Sequence, residues 1–138
     1  MELGESEREA IRGLFGGLER DVPVLLELGP EASPVSVLAG GRELDFGAET
    51  QSLLEQIASL SDRVTLTVSE TDDPGPWPRT TIAERLVYQG LPWGYELSTL
   101  VYAIAEAGRE ATSLSDSSLA ALAALERDIS LEVFVTPT

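Results

Sequence analysis

The chain has 138 residues, 24 acids against nine Arg and a formal net charge of −15, with no Cys, His or Lys. That length suits one compact domain, and the missing residues exclude disulfides, thiolate metal sites, Schiff-base and P-loop lysines and the usual nucleophile–base pairs, leaving carboxylate, Tyr and hydroxyl groups for proton transfer. So acidic a balance repels a phosphate backbone and an anionic membrane surface, so neither nucleic acid nor membrane is an expected partner.

Ser6-x-x-Glu9 reads as a capping box ahead of Ala10, Ile11, Leu14, Phe15 and Leu18, a spacing that predicts an amphipathic helix from about Ser6 to Gly16. The run Pro23 to Leu28 is apolar nearly throughout and predicts a strand covered on both faces, stopped by Gly29-Pro30. Val35 to Leu38 and Glu43 to Phe46 flank Ala39-Gly40-Gly41-Arg42 and predict a hairpin. Gly40-Gly41 is too short for a phosphate loop and lacks a following Lys.

From Ala48 to Leu60 the helical period returns, and Val64-Thr65-Leu66-Thr67-Val68 then alternates as a strand does. Glu70 to Arg79 carries Pro74, Pro76, Pro78 and Gly75, which no regular ladder tolerates, so it is a loop. Its acids Glu70, Asp72 and Asp73 suggest acid–base or metal work, and with it a carboxylate-based hydrolase. Beside the prolines, however, they read as solvated turn formers. Thr80 to Ala83 and Leu86 to Gln89 predict an antiparallel pair, and Gly90-Leu91-Pro92-Trp93-Gly94 turns into a helix that buries Leu97, Leu100, Val101, Ile104 and Ala105 and ends at Gly108. Trp77 and Trp93 then flank one end of the sheet, either lining a groove for a partner or covering the helix–sheet seam.

Leu114, Ser115 and Leu119 fit a staple around a Ser N-cap, predicting a further helix with Leu122 and Leu125 on its inner side and a strand from Ile129 to Val135. Here the tetrapeptide Leu18-Glu19-Arg20-Asp21 returns as Leu125-Glu126-Arg127-Asp128, at an offset of 107 residues (125 − 18), again between a helix and an apolar run that reaches a proline, Pro30 or Pro137. The expected organisation is one unit over 1–110, with a hairpin insertion at 34–46, and over 111–138 a linker, helix and first strand of a second unit. Met1 is not followed by a signal-peptide pattern, no apolar run approaches bilayer-spanning length, and a cytoplasmic location is expected.

Without the first helix and the hairpin the predicted order is β-α-β then β-β-α, an α/β fold with a mixed four-stranded sheet and flanking helices. That order, with Tyr88-Gln89-Gly90-Leu91-Pro92-Trp93-Gly94-Tyr95-Glu96-Leu97 and Leu131 to Thr138, resembles the thioredoxin folds of glutaredoxin-like protein disulfide oxidoreductases. It is similar as well to the related N-terminal domain of the flavoprotein subunit of alkyl hydroperoxide reductase. Trp93 and Tyr95 depart from the smaller or His residues common there.

The resemblance implies two thioredoxin-like units in tandem, with the redox Cys-x-x-Cys directly after the strand like Leu131 to Thr138, one residue past Thr138. It implies a first unit that is redox-silent, because the place after its first strand, Gly29-Pro30-Glu31-Ala32-Ser33-Pro34, holds no Cys. It places Pro78 where such folds hold a cis proline, making Trp77, Pro78 and Arg79 a remnant peptide-docking loop and Gly90, Pro92, Gly94 and Glu96 a signature turn. No cofactor is implied. The implied partners are the second unit and, through the parent protein, a disulfide-bearing client or a peroxiredoxin. The parent's role would be dithiol–disulfide exchange in redox homeostasis. The exposed C-terminal helix and strand also suggest a homodimer. The competing reading is a stand-alone thioredoxin-like adaptor with no enzymatic activity.

Overall fold

A computed structural model describes residues 1–30, 36–38 and 42–135. Helix α1 (Glu5–Phe15) starts earlier than its Ser6 signal: the N-cap is Gly4, whose N–H donates to the Glu7 carboxylate at 2.7 Å, so Ser6 lies inside the helix. Glu5 and Glu7 sit in the first turn, where the helix dipole favours negative charge, and Ile11 and Phe15 are buried. Strand β1 (Val22–Leu28) follows, and the hairpin β2 (Ser36–Leu38) and β3 (Arg42–Leu44) forms a separate two-stranded sheet. The Ala39–Gly41 turn of that hairpin and the Glu31–Pro34 part of the candidate cysteine position lie outside the described residues.

Helix α2 (Phe46–Ala58) is capped by Asp45, whose carboxylate accepts from the Ala48 N–H at 3.0 Å, and it buries Leu53, Leu54 and Ile57. Strand β4 (Val64–Glu70) pairs in parallel with β1 from Val22↔Val64 to Leu28↔Glu70. Strands β5 (Arg79–Ile82) and β6 (Leu86–Gln89) are antiparallel, joined through Ala83 and Glu84 at φ 49° and 62° with Arg85 N–H donating to the Ile82 carbonyl. Two successive positive φ values are those of a turn whose twist suits the flanking strands, and Arg85 is the third residue between Ile82 and its partner Leu86. The sheet order is β4-β1-β5-β6, with β5 antiparallel to β1. Helix α3 (Tyr95–Ala107) ends at Gly108, whose carbonyl accepts from both Glu19 and Arg20 N–H, tying the helix end to the entrance of β1.

The core shows where coverage stops. Val22, Val24 and Leu26 of β1 and Ile82 of β5 pack with α1, α2 and α3 in one buried cluster, and Leu66 and Tyr88 border it. The alternate positions face away. One row runs Thr67, Leu25, Thr81, Val87 across the four strands and the next Ser69, Glu27, Arg79, Gln89. Pro23, Thr65, Thr67 and Val87 on that side are exposed, so among the described residues no helix covers it. The expectation that β1 is covered on both faces is therefore corrected. Pro23 and Glu27 interrupt the apolar run at alternate, outward-facing positions, an alternation that Leu25 hides in the sequence.

Helix α4 (Asp116–Ala123) begins at Ser115, whose hydroxyl accepts from Ser118 N–H, but it buries no residue. Leu122 and Leu125, expected on an inner side, are exposed, and 129–135 forms no strand. A strand needs a neighbour to take its backbone hydrogen bonds, and none of the described strands pairs with this segment. No helix among the described residues is long and apolar enough to cross a membrane.

Candidate functional site

The chemistry-bearing residues gather where β1 ends and β5 begins. Arg79 stands opposite Glu27 in the antiparallel register, so its guanidinium reaches the carboxylate, Nε to Oε2 at 2.7 Å. This hydrogen bond raises the Arg79 pKa above its already high ordinary value, with the charge of Asp73 acting in the same direction. The guanidinium also lies 4.9 Å from the centre of the Trp77 ring, a cation–π contact worth about 0.5–1 kcal/mol at such an open site.

Trp77 is fixed from three sides. Its indole N–H donates to the Asp73 carbonyl at 2.7 Å, and its ring lies against the backbones of Gly29 and Gly75. A Cβ built on Gly29 would stand 1.8 Å from Trp77 Cδ1, and one built on Gly75 2.4 Å from the same atom. Both positions must be glycine for the ring to lie there, and Gly75 adopts φ +63° besides. The Trp77–Pro78 bond is cis, Pro78 is buried, and the Pro78 carbonyl accepts from Gly90 N–H at 2.8 Å. A small pocket of about 220 Å³ remains, lined by the Asp73–Trp77 loop and Arg79.

The structure thus brings Trp77, Pro78 and Arg79 together with Gly90. The rest of the candidate turn does different work: Gly90 and Gly94 take φ +98° and +67°, Pro92 is buried, and the Glu96 carbonyl accepts from the Tyr88 hydroxyl at 3.4 Å. Burial holds the Tyr88 phenol above its ordinary pKa, the charge of Glu96 adds to this, and a hydrogen bond with Thr99 opposes it. A folded-state pKa raised above the unfolded one contributes stability that is complete below the unfolded value near 10 and is lost as pH rises through the folded value. Urea midpoints measured across that alkaline window are expected to fall for the native chain more steeply than for Tyr88→Phe, which has no proton to lose.

Asp72 and Asp73 are exposed, as solvated turn formers should be, and among the described residues no group of three or more acids could hold a metal. Trp93 lies in the loop after β6, at the sheet end from which the Trp77 loop also leaves, and is 39% exposed. Glu27, Gly29 and Gly75 are site residues that sequence reasoning missed. Only Glu27 carried a signal, as the one charge in an apolar strand. The cluster offers a flat aromatic surface, a paired cation and a glycine-lined slot.

No protein-family model matches the chain. It is 31% identical over 109 residues to the AhpF component of alkyl hydroperoxide reductase from Pseudomonas putida, a match covering 73% of this chain and 20% of that protein. The structure superposes on the alkyl hydroperoxide reductase component AhpF of Enterococcus faecalis with a TM-score of 0.70 at 26% identity, covering 89% of this chain and 61% of that one. It superposes on a protein disulfide oxidoreductase of Aeropyrum pernix with a TM-score of 0.71 at 18% identity, covering 91% and 56% respectively, a likeness of fold alone. The chain spans about a fifth of the length of the curated relative it matches. With its mixed β4-β1-β5-β6 sheet and its helices, the chain is a thioredoxin-like unit of the kind found in the N-terminal domain of AhpF and in protein disulfide oxidoreductase.

Proposed function

We propose that this chain is the redox-silent unit of a tandem thioredoxin-like disulfide oxidoreductase, a sheet scaffold that positions a second, cysteine-bearing unit or its client. The observation that carries this reading is the Trp77 indole lying on Gly29, directly after β1, in a chain without a thiol. Disulfide exchange needs one thiolate to attack a disulfide sulfur and a second thiol to resolve the mixed disulfide. Neither is available here, so two cysteines outside these residues would carry the parent activity.

On this reading 1–110 is the complete unit and 111–138 leads into the second. The parent is cytoplasmic, and its client is a disulfide-bearing protein or a peroxiredoxin. The returning Leu-Glu-Arg-Asp and the likeness to AhpF support the tandem arrangement. The pure 138-residue chain is expected to give no insulin reduction above the dithiothreitol background, and dithiol-dependent turnover by it would overturn the assignment. Codons for Cys-x-x-Cys after Thr138 support the tandem, whereas a stop there supports the adaptor.

A further inference from the structure

We propose that the β4 edge of the sheet pairs with the β4 edge of a second copy of this chain, two-fold about Leu66, to make one continuous sheet with an antiparallel seam. The surface is separate from the Trp77 cluster and exists whether or not a second unit follows Thr138.

An edge strand is a row of unpaired backbone groups, and native sheets blunt it with short length, Lys, Pro or charge. The order β4-β1-β5-β6 leaves two such edges. Strand β6 has four residues and follows the charged pair Glu84-Arg85, whereas β4 runs for seven with no Pro, no Lys and no charge before Glu70. The Arg63 carbonyl accepts from Val22 N–H at 2.7 Å and Thr71 N–H donates to the Leu28 carbonyl at 2.9 Å, so both point to β1. Backbone groups alternate in direction along a strand, so those of Val64, Leu66 and Val68 point out of the sheet.

The side chains identify the occupant. Val64-Thr65-Leu66-Thr67-Val68 reads the same in both directions. Residues opposite each other in an antiparallel pair share a face, so a two-fold axis at Leu66 sets Leu66 against Leu66 and Val64 against Val68 on the helix side, and Thr65 against Thr67 on the helix-free side. Val68, 39% exposed, gains apolar cover. Leu66 N–H then donates to the second copy's Leu66 carbonyl and Val68 N–H to the second copy's Val64 carbonyl, while Val64 N–H keeps its bond to the Ser61 carbonyl at 3.2 Å.

Charge points to the same edge. Two chains of −15 repel over most of their surfaces, but this ladder contains no carboxylate, and at each end Arg63 of one copy comes beside Glu70 of the other. Moving the axis to Thr67 would set Glu70 against Val64 and lose the match. So short a ladder buries less than the about 1,200–2,000 Å² of a standard interface, which makes the association weak and reversible.

Because the chain has no cysteine, single thiols report on this pairing without background. Thr65→Cys and Thr67→Cys chains, each changed at an exposed position, would be mixed with oxidised glutathione in about 0.5 M salt, which screens the repulsion between acidic chains. The disulfide dimers would be identified by peptide mass spectrometry. Residues 65 and 67 of different copies then lie about 4.5 Å apart at Cα, within disulfide reach, while like residues lie on a diagonal of about 7–8 Å, outside it. The mixed 65–67 disulfide is expected to form about tenfold faster or more than either like pair. Val68→Lys, which puts a charge on the edge at a part-exposed position, should bring the mixed rate down to that of the like pairs and leave the urea midpoint near that of the native chain.

Equal rates for mixed and like pairs overturn the proposal. A dominant 67–67 disulfide puts the axis on Thr67 and overturns the self-matched register. A dimer by light scattering that survives Val68→Lys and gives no mixed disulfide means that the exposed apolar segment 111–135 joins the copies instead, and it overturns the proposal as well.

Discussion

Truncating Leu26 to alanine is expected to lower the unfolding free energy by about 2–5 kcal/mol, read as a shift of the urea midpoint at unchanged slope. Leu26 has no exposed surface and lies mid-way along β1, which is hydrogen-bonded to β4 on one side and β5 on the other. The backbone cannot move in to close the cavity, because both ladders hold it. A domain of this size is stable by only about 5–15 kcal/mol, so the loss is a large share of the whole. The neighbouring Leu25→Ala is the matched control. It removes the same atoms from the opposite, helix-free face, where water fills the space, and it is expected to cost less than about 1.5 kcal/mol. Equal losses at the two positions would contradict a sheet covered on one side.

That contrast marks the limit of what could be read without coordinates. The element order was legible because periods change cleanly: Leu53, Leu54 and Ile57 repeat at helical spacing, and Val64 to Val68 alternates. The Ser115 cap was legible; Gly4, whose backbone N–H is met by Glu7, was not, nor was Asp45, which caps α2 although Glu43 to Phe46 reads as a hairpin strand and the helix as starting at Ala48. The strand expected over 129–135 failed for a different reason. Its residues have the right pattern, but pattern does not supply the neighbouring strand that makes a ladder. Helix α4 does form, since helical hydrogen bonds are internal and its Ala- and Leu-rich sequence needs no partner to make them. Of the candidate site, Trp77, Pro78 and Arg79 were visible as neighbours in sequence. Gly29 was invisible because its partner ring stands 48 residues away (77 − 29), and nothing local announces that contact.

Gly29→Ala is the substitution expected to test that contact, at a cost of about 2–4 kcal/mol. The figure combines about 1–3 kcal/mol for overpacking with about 1 kcal/mol for a lost hydrogen bond. The new Cβ would stand 1.8 Å from Trp77 Cδ1, and Gly29 cannot retreat because it directly follows the paired strand β1. The indole must leave, giving up its bond to the Asp73 carbonyl and its place over Arg79. If this is the cause, removing the ring first should remove most of the penalty, so Gly29→Ala made in a Trp77→Ala background should be nearly neutral. The double-mutant cycle would then return a coupling of about the size of the single Gly29→Ala loss. Additive losses would show that the glycine is needed for some other reason. The same geometry bears on the missing chemistry: every side chain begins with a Cβ, so a cysteine at position 29 would meet the indole as an alanine does. The unit lacks a thiol and also lacks the room for one at the end of its first strand, so restoring reactivity there would require opening the Trp77 loop as well as changing one residue.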